Sequence, residues 1–208
     1  MPGVGRRAIS GQELSRTSER AMVRTCLGSS LAGALALGLC GPVLAQDLPN
    51  LREARGLVYE DAGIEWEVFP VEGLSDADIA TLEQINLIQP QPHYAAMAVH
   101  PASGLASGRT SLAANYHDEE NARTADMAAC GEDCAVVMVI RPAGWEPGRP
   151  LQLSAQAVEV LTGDYRRLPR RSRALAISPA TGQWGIGESR EAAIAACAAE
   201  DCRAVVEG

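Results

Sequence analysis

The sequence predicts an α+β fold of two pseudo-symmetric α-β-β-α-β repeats, with helices packed on a sheet. Three blocks that recur in one order predict it. WEVFPVEGLS at residues 66–75 aligns with WEPGRPLQLS at 145–154, and AMAVHPASG at 96–104 aligns with ALAISPATG at 174–182. CGEDCAVV at 130–137 then aligns with CAAEDCRAVV at 197–206. Such recurrence is typical of an internal duplication, and the extra residues of the first copy lie between its second and third blocks.

The predicted organisation has four parts. Residues 1–45 are an N-terminal extension with a signal peptide, 46–65 a lead-in helical segment, 66–144 repeat 1 and 145–208 repeat 2. Arg20 and Arg24 precede the short apolar run Cys26–Cys40, and small residues up to Ala45 predict cleavage before Gln46. We therefore expect a periplasmic or secreted chain with no membrane span after signal removal.

Each repeat is predicted to open with a helix. Ser75 and Ser154 have the character of N-caps, and the helices should run to about Ile88 and Arg167, because a proline follows each. The apolar runs YAAMAVH and RALAIS then predict strands. The turns PASG and PATG predict hairpins that return through LASG and QWGIG.

A second helix and a final strand complete each repeat. DEENARTADMAAC and SREAAIAAC have the acidic residues and the serine that favour helix starts, and CAVVMVI and CRAVV read as buried strands. The glycines of GQWGIGES are expected to allow close packing of helix against strand.

The paired cysteines occupy one position in both repeats, between the second helix and the last strand. We predict the local disulfides Cys130–Cys134 and Cys197–Cys202, because so short a loop brings the α-carbons into bonding range. Pairing across the repeats and a metal or redox role remain open as alternatives. A redox pair more typically lies at a helix N-terminus, where the dipole lowers the thiol pKa.

The charged residues exclude several classes of chemistry. All 18 basic residues are arginine, so the chain can form no lysine Schiff base with a substrate or pyridoxal phosphate and has no P-loop lysine. We expect no cofactor. Residues 46–208 carry 24 acidic residues and 13 arginines, a net charge of about −11, which argues against nucleic-acid binding.

Two groups of residues are candidate sites. Five arginines in YRRLPRRSR are expected to bind a carboxylate, a phosphate or an acidic partner, unless they only complement a helix C-terminus in a solvated connector. They are Arg166, Arg167, Arg170, Arg171 and Arg173. The histidines of repeat 1 and two neighbouring carboxylates form a possible metal or acid-base site, unless these histidines are simply exposed in loops. They are His93, His100, His117, Asp118 and Glu120.

The block AISPATGQWGIGESREAAIAACAAEDCRAVV resembles an uncharacterised family of small secreted bacterial domains. Its members combine an Ala-x-Ala-x-Ser-Pro-x-Thr-Gly hairpin, an alanine-rich helix and a Cys-x(3–5)-Cys-x-Val-Val ending. The resemblance implies fold and export and no activity. Short exported chains similar to this one are sometimes named aminolevulinate synthase; that enzyme needs pyridoxal phosphate on a lysine, which this chain lacks.

The sequence thus predicts an exported, disulfide-stabilised tandem-repeat protein that binds a ligand or a protein partner without catalysis. The alternative is a metal-dependent, hydrolase-type enzyme that uses the histidines of repeat 1. A third possibility is an inhibitor of a secreted enzyme.

Overall fold

The computed structural model describes residues 47–60 and 63–208, so the predicted signal peptide and its cleavage point lie outside the described residues. Helix α1 (Leu51–Leu57) lies in the lead-in segment. Its start is fixed by a capping box, in which the Asn50 side chain accepts backbone N–H bonds and Glu53 reaches back to the Asn50 N–H. In the two described ranges, every helix is too short or too polar to cross a membrane.

The first sheet is antiparallel and has four strands in the order β1-β4-β2-β3. They are β1 (Ile64–Val68), β2 (Ala95–Val99), β3 (Thr110–Ala113) and β4 (Ala135–Pro142). Two helices accompany them, α2 (Asp76–Ile88) before β2 and α3 (Glu119–Cys130) before β4.

The second sheet is antiparallel and has three strands in the order β6-β5-β7. They are β5 (Ala174–Ile177), β6 (Trp184–Gly187) and β7 (Arg203–Glu207). Helix α4 (Ala155–Thr162) and a 3-10 helix (Asp164–Arg167) precede β5, and α5 (Arg190–Cys197) precedes β7. The α+β class is therefore confirmed, although the strands form two sheets where the sequence predicted one.

The helix starts follow the predicted capping. Ser75 and Ser154 each accept an N–H bond in the first turn of α2 and α4, and Asp118 and Ser189 do the same for α3 and α5. Helix α2 ends at Ile88, as predicted. Helix α4 ends earlier than predicted, at Thr162, because Gly163 follows and the chain tightens into the 3-10 helix.

Two strands differ from the prediction. Strand β1 was not predicted and begins inside the lead-in segment, pairing with β4 from Ile64↔Pro142 to Val68↔Met138. The returning strand of the first hairpin was predicted at LASG, residues 105–108, but lies at Thr110–Ala113. The glycines and serines of SGLASG favour turns over strand, and the Thr110 hydroxyl donates to the Leu105 carbonyl across the loop.

Each sheet is covered on both faces, which explains why β2 and β5 are buried along their whole length. On the first sheet, Leu82 of α2 packs on one face, whereas Ala122 of α3 packs on the other. On the second sheet, Ala193 of α5 covers one face, whereas Leu161 of α4 and Ala54 of α1 cover the other. Side chains alternate along a strand, so neighbouring strand residues pack on opposite faces of the sheet.

Strands β5, β6 and β7 pair as β2, β3 and β4 do. The register between β2 and β4 shifts after Met97, and the register between β5 and β7 shifts after Leu175. These two residues lie at equivalent positions of the aligned sequence blocks. The two sheets therefore share a strand order and the position of an irregularity.

The segment from β2 to α3 contains more residues than the corresponding segment from β5 to α5, and the additional residues lie in three places. Ten residues (100–109) separate β2 from β3, whereas six (178–183) separate β5 from β6. Four residues (114–117) precede the cap of α3, whereas one residue, Glu188, precedes the cap of α5. Helix α3 has 12 residues and α5 has 8, a difference of about one turn.

Both predicted disulfides are present. Cys130–Cys134 and Cys197–Cys202 each join the end of a helix to the residue before a strand, with Cα–Cα distances of 6.1 Å. The acidic residue within the second corner is also structural. Asp201 accepts hydrogen bonds from the Ser178 hydroxyl at 2.5 Å and the Ala180 N–H at 2.9 Å, which fixes the PATG turn against the disulfide corner.

Removal of the second disulfide should destabilise the protein modestly. We expect the Cys197→Ser/Cys202→Ser variant to lose about 2 kcal/mol of unfolding free energy, the loop-entropy value for a ring of this size. Urea unfolding of the oxidised wild type and the variant measures the difference. An equal stability in oxidising buffer would contradict the prediction.

Gly185 lets helix α5 lie directly on strand β6. A Cβ atom at this position would lie 2.2 Å from the Cys197 nitrogen and 2.5 Å from the Ala193 carbonyl oxygen. Both atoms belong to the helix backbone, so no side-chain rotation can relieve the clash. This confirms the expected close packing of the glycine-rich hairpin.

Gly185→Ala should therefore cost about 3 kcal/mol of stability or prevent folding, because overpacking here must displace a helix. Gly108→Ala is the matched control, since a Cβ there meets nothing within 4 Å. Thermal unfolding of both variants tests this. A Gly185→Ala protein as stable as the Gly108→Ala protein would refute the close approach.

Candidate functional site

A cleft lined by arginines lies between helix α1 and the 3-10 helix that follows α4. Its volume is about 1070 Å³. We call it the arginine cleft, and its charged lining consists of Arg52, Arg55, Glu60, Arg166, Arg167, Arg170 and Arg173. Among the described residues of the lining, six guanidinium groups accompany one side-chain carboxylate, in a chain whose overall net charge is −8.

Arg52 and Arg55 come from α1, more than one hundred residues before the predicted arginine cluster. Three positions apart on a helix, they lie on neighbouring turns of its surface. Helix α1 is held by its buried Ala54 and by an N–H bond from Glu207 of β7 to the Pro49 carbonyl at 3.1 Å. Docking of α1 beside the second sheet therefore adds one wall to the cleft.

Arg173 lies in the floor of the cleft and is only 6% exposed. Its Nε donates to the Gly208 carbonyl oxygen at 3.0 Å, and its Nη1 donates to the carbonyls of Tyr165 and Arg166 at 3.4 Å. The guanidinium also stacks on the Tyr165 ring, 4.8 Å from its centroid. Because these contacts occupy its Nε and Nη1 donors, Arg173 holds the backbone of the 3-10 helix in place. Its direct binding of a ligand stays a prediction.

Arg166, Arg167 and Arg170 are the exposed members of the predicted cluster in the cleft. Arg167 forms a surface ion pair with Asp164 at 2.6 Å, an exposed type of contact that contributes little to stability. Arg171 is also exposed but does not line the cleft. The structure thus brings three of the five predicted arginines to an accessible wall.

Glu60 is the carboxylate of the cleft. Arg55 binds it through two parallel contacts, Nε to Oε1 at 2.5 Å and Nη2 to Oε2 at 2.7 Å. The hydrogen bond from Arg55 lowers the pKa of Glu60, and the positive charge of Arg166 lowers it further. Glu60 is therefore ionised at neutral pH and lies within electrostatic reach of both walls.

His117 joins the two halves of the fold. It lies in the longer loop before α3, and its Nδ1 accepts the backbone N–H of Ser154 at 3.1 Å, while its Nε2 lies 3.0 Å from the Gln183 carbonyl. These partners require the neutral ring with the proton on Nε2. Burial lowers the pKa of His117, in agreement with that state.

His93 lies near His117, because its carbonyl oxygen accepts the Ala155 N–H at 3.1 Å, whereas His100 lies at the first hairpin. His93 is buried beside Tyr94, and burial lowers its pKa to about 4. His100 is half-buried at the first hairpin, and its Nδ1 lies 2.7 Å from the Ser103 hydroxyl.

The carboxylates predicted with the histidines serve helix α3. Asp118 is its N-cap and accepts the Asn121 N–H at 2.8 Å, and Glu120 is exposed in the first turn. Within residues 47–60 and 63–208, no group of three or more His, Cys, Asp or Glu side chains is placed to hold a metal ion. His93 and His117 both lie at the start of α4, whereas His100 lies at the first hairpin and Glu120 is exposed.

A polar pair that the sequence did not reveal, formed by half-buried Ser111 and buried Asp126, joins β3 to α3. The Ser111 hydroxyl donates to the Asp126 carboxylate at 2.6 Å, and burial raises the pKa of Asp126 to about 6. Ser111 pairs with Ala98 of β2. At the corresponding position of the second sheet, Gly185 pairs with Ala176 of β5. Ser111 is therefore a half-buried donor to helix α3, and it does not line the arginine cleft.

Comparisons with protein-family models, with curated proteins and with solved structures find no match.

The His117 contacts make stability depend on pH. Because burial lowers its folded-state pKa, the unfolded chain binds the proton more tightly, and this contribution falls as the pH drops below about 6.5. We expect His117→Asn to lose about 2 kcal/mol at pH 7 and less at pH 5. Urea unfolding at both pH values tests this, with His100→Asn as the control. A loss that is equal at both pH values would contradict it.

Proposed function

We propose that this chain is an exported, disulfide-stabilised binding module, built from two copies of one motif, that binds an anionic partner in the arginine cleft without catalysis. The observation that carries the proposal is the excess of guanidinium groups over carboxylates in that cleft. Guanidinium groups present paired donors that match carboxylate and phosphate oxygens.

The duplication is supported by two independent kinds of correspondence. Sequence blocks recur in one order, and the strands β2, β3 and β4 have the same pairing order and the same register shift as β5, β6 and β7. Both units also carry a disulfide at the helix-to-strand corner. Two copies of one motif account for all three features together.

Export is supported by the disulfides and by the residues before them in the chain. Disulfides persist in oxidising compartments such as the periplasm. The basic residues, apolar run and small residues that precede Gln46 match the pattern of a secretory signal.

Binding of anions tests the function. We expect calorimetry in 50 mM salt to detect either a hexaglutamate peptide or inorganic tripolyphosphate. The variant Arg166→Gln/Arg170→Gln should bind at least tenfold more weakly, because each charge-assisted hydrogen bond contributes about 1.5–3 kcal/mol. Raising the salt concentration should weaken the wild-type interaction.

The matched control is Arg171→Gln/Arg203→Gln, which removes the same charge from exposed positions outside the cleft. Its affinity should stay close to that of the wild type. The proposed function fails if neither anion binds the wild type, or if both double variants lose affinity equally.

A further inference from the structure

Glu60 shows how the arginine cleft holds a carboxylate. Its two oxygens face the Nε and Nη2 donors of Arg55 at 2.5 and 2.7 Å, the side-by-side geometry of a bidentate pair. The Glu60 side chain retains 24% of its exposure and that of Arg55 retains 44%, so the pair remains accessible to solvent. A carboxylate arriving from outside can therefore compete for the same donors.

The cleft has more cationic groups than its own carboxylate can satisfy. Among the described residues of the lining, Glu60 is the one acidic residue, and the positive charge of Arg166 on the opposite wall lowers its pKa. Arg52 and Arg170 are exposed, and among the described residues neither forms an ion pair of 4.0 Å or less with a carboxylate. A ligand with several negative groups therefore gains contacts that Glu60 alone cannot supply.

The shape and lining of the cleft favour an extended ligand. Pockets for small molecules are mostly apolar and enclose their ligand, whereas this cleft is open and Leu51 is the largest apolar residue in its lining. A long phosphate backbone would be repelled by the acidic remainder of the chain. A short segment with repeated carboxylates meets the local positive charge with less of that repulsion.

We propose that Glu60 occupies the place of a ligand carboxylate and that the arginine cleft binds an Asp/Glu-rich peptide segment of a partner protein. One carboxylate of the segment replaces Glu60 on Arg55, and the others reach Arg52, Arg166 and Arg170. This inference rests on the proposed function and adds to it a ligand class and an internal competitor.

The variant Glu60→Gln tests the competition, because it keeps the size of the side chain and removes its charge. Hexaglutamate should bind this variant about threefold more tightly than the wild type, the gain expected from loss of one competing exposed ion pair. Glu200→Gln is the matched control, since it removes one negative charge from an exposed position outside the cleft. Its affinity for hexaglutamate should remain that of the wild type.

The outcomes separate the two proposals. Wild-type binding that Glu60→Gln leaves unchanged or weakens, with thermal unfolding unaltered, overturns the role of Glu60 and leaves the proposed function standing. Tripolyphosphate that binds at least tenfold more tightly than hexaglutamate overturns the peptide as the ligand class. Absence of binding by both anions to the wild type instead rejects the proposed function itself.

Discussion

The two hydrogen bonds of the buried His117 side chain join the loop before α3 to the second half of the fold. One bond reaches Ser154, the N-cap of α4, and the other reaches the hairpin of the second sheet at Gln183. The backbone approaches closely at the same junction, because a Cβ at Gly182 would lie 2.7 Å from the Asn115 carbonyl oxygen. Helix α4 leads directly into the 3-10 helix that carries Arg166. The junction thus fixes where one wall of the arginine cleft begins.

The arginines of the cleft differ in role: one holds the backbone of the cleft, and others are exposed and available to a ligand. Arg173 gives its donors to backbone carbonyls and so holds the 3-10 helix in place. Arg166 and Arg170 stay exposed on the surface that Arg173 shapes. Because the floor of the cleft is already ordered, the protein loses less conformational entropy when a ligand binds. A cluster of like charges is tolerable here because the exposed members remain hydrated.

Local signals in the sequence predicted the helix caps, the disulfides and the positions of strands β2 and β5, because each depends on residues a few positions apart. Contacts between distant residues could not be predicted. His117 bonds to residues 37 and 66 positions away, and Arg55 reaches the cleft only through docking of α1. Strand β1 was missed because its alternation is short, and β3 because glycine and serine lengthen the preceding loop. The histidines were grouped by their proximity in sequence, and among the described residues they do not form a group of three or more metal ligands.

Because all basic residues of the chain are arginine, the positive charge of the cleft hardly changes with pH. Guanidinium groups stay protonated up to about pH 12, so any pH dependence of binding below that value must come from the ligand or from Glu60. The chain also offers no side-chain amine, since it has no lysine. Acylating reagents and amine-directed cross-linkers therefore leave every charge in the cleft unmodified.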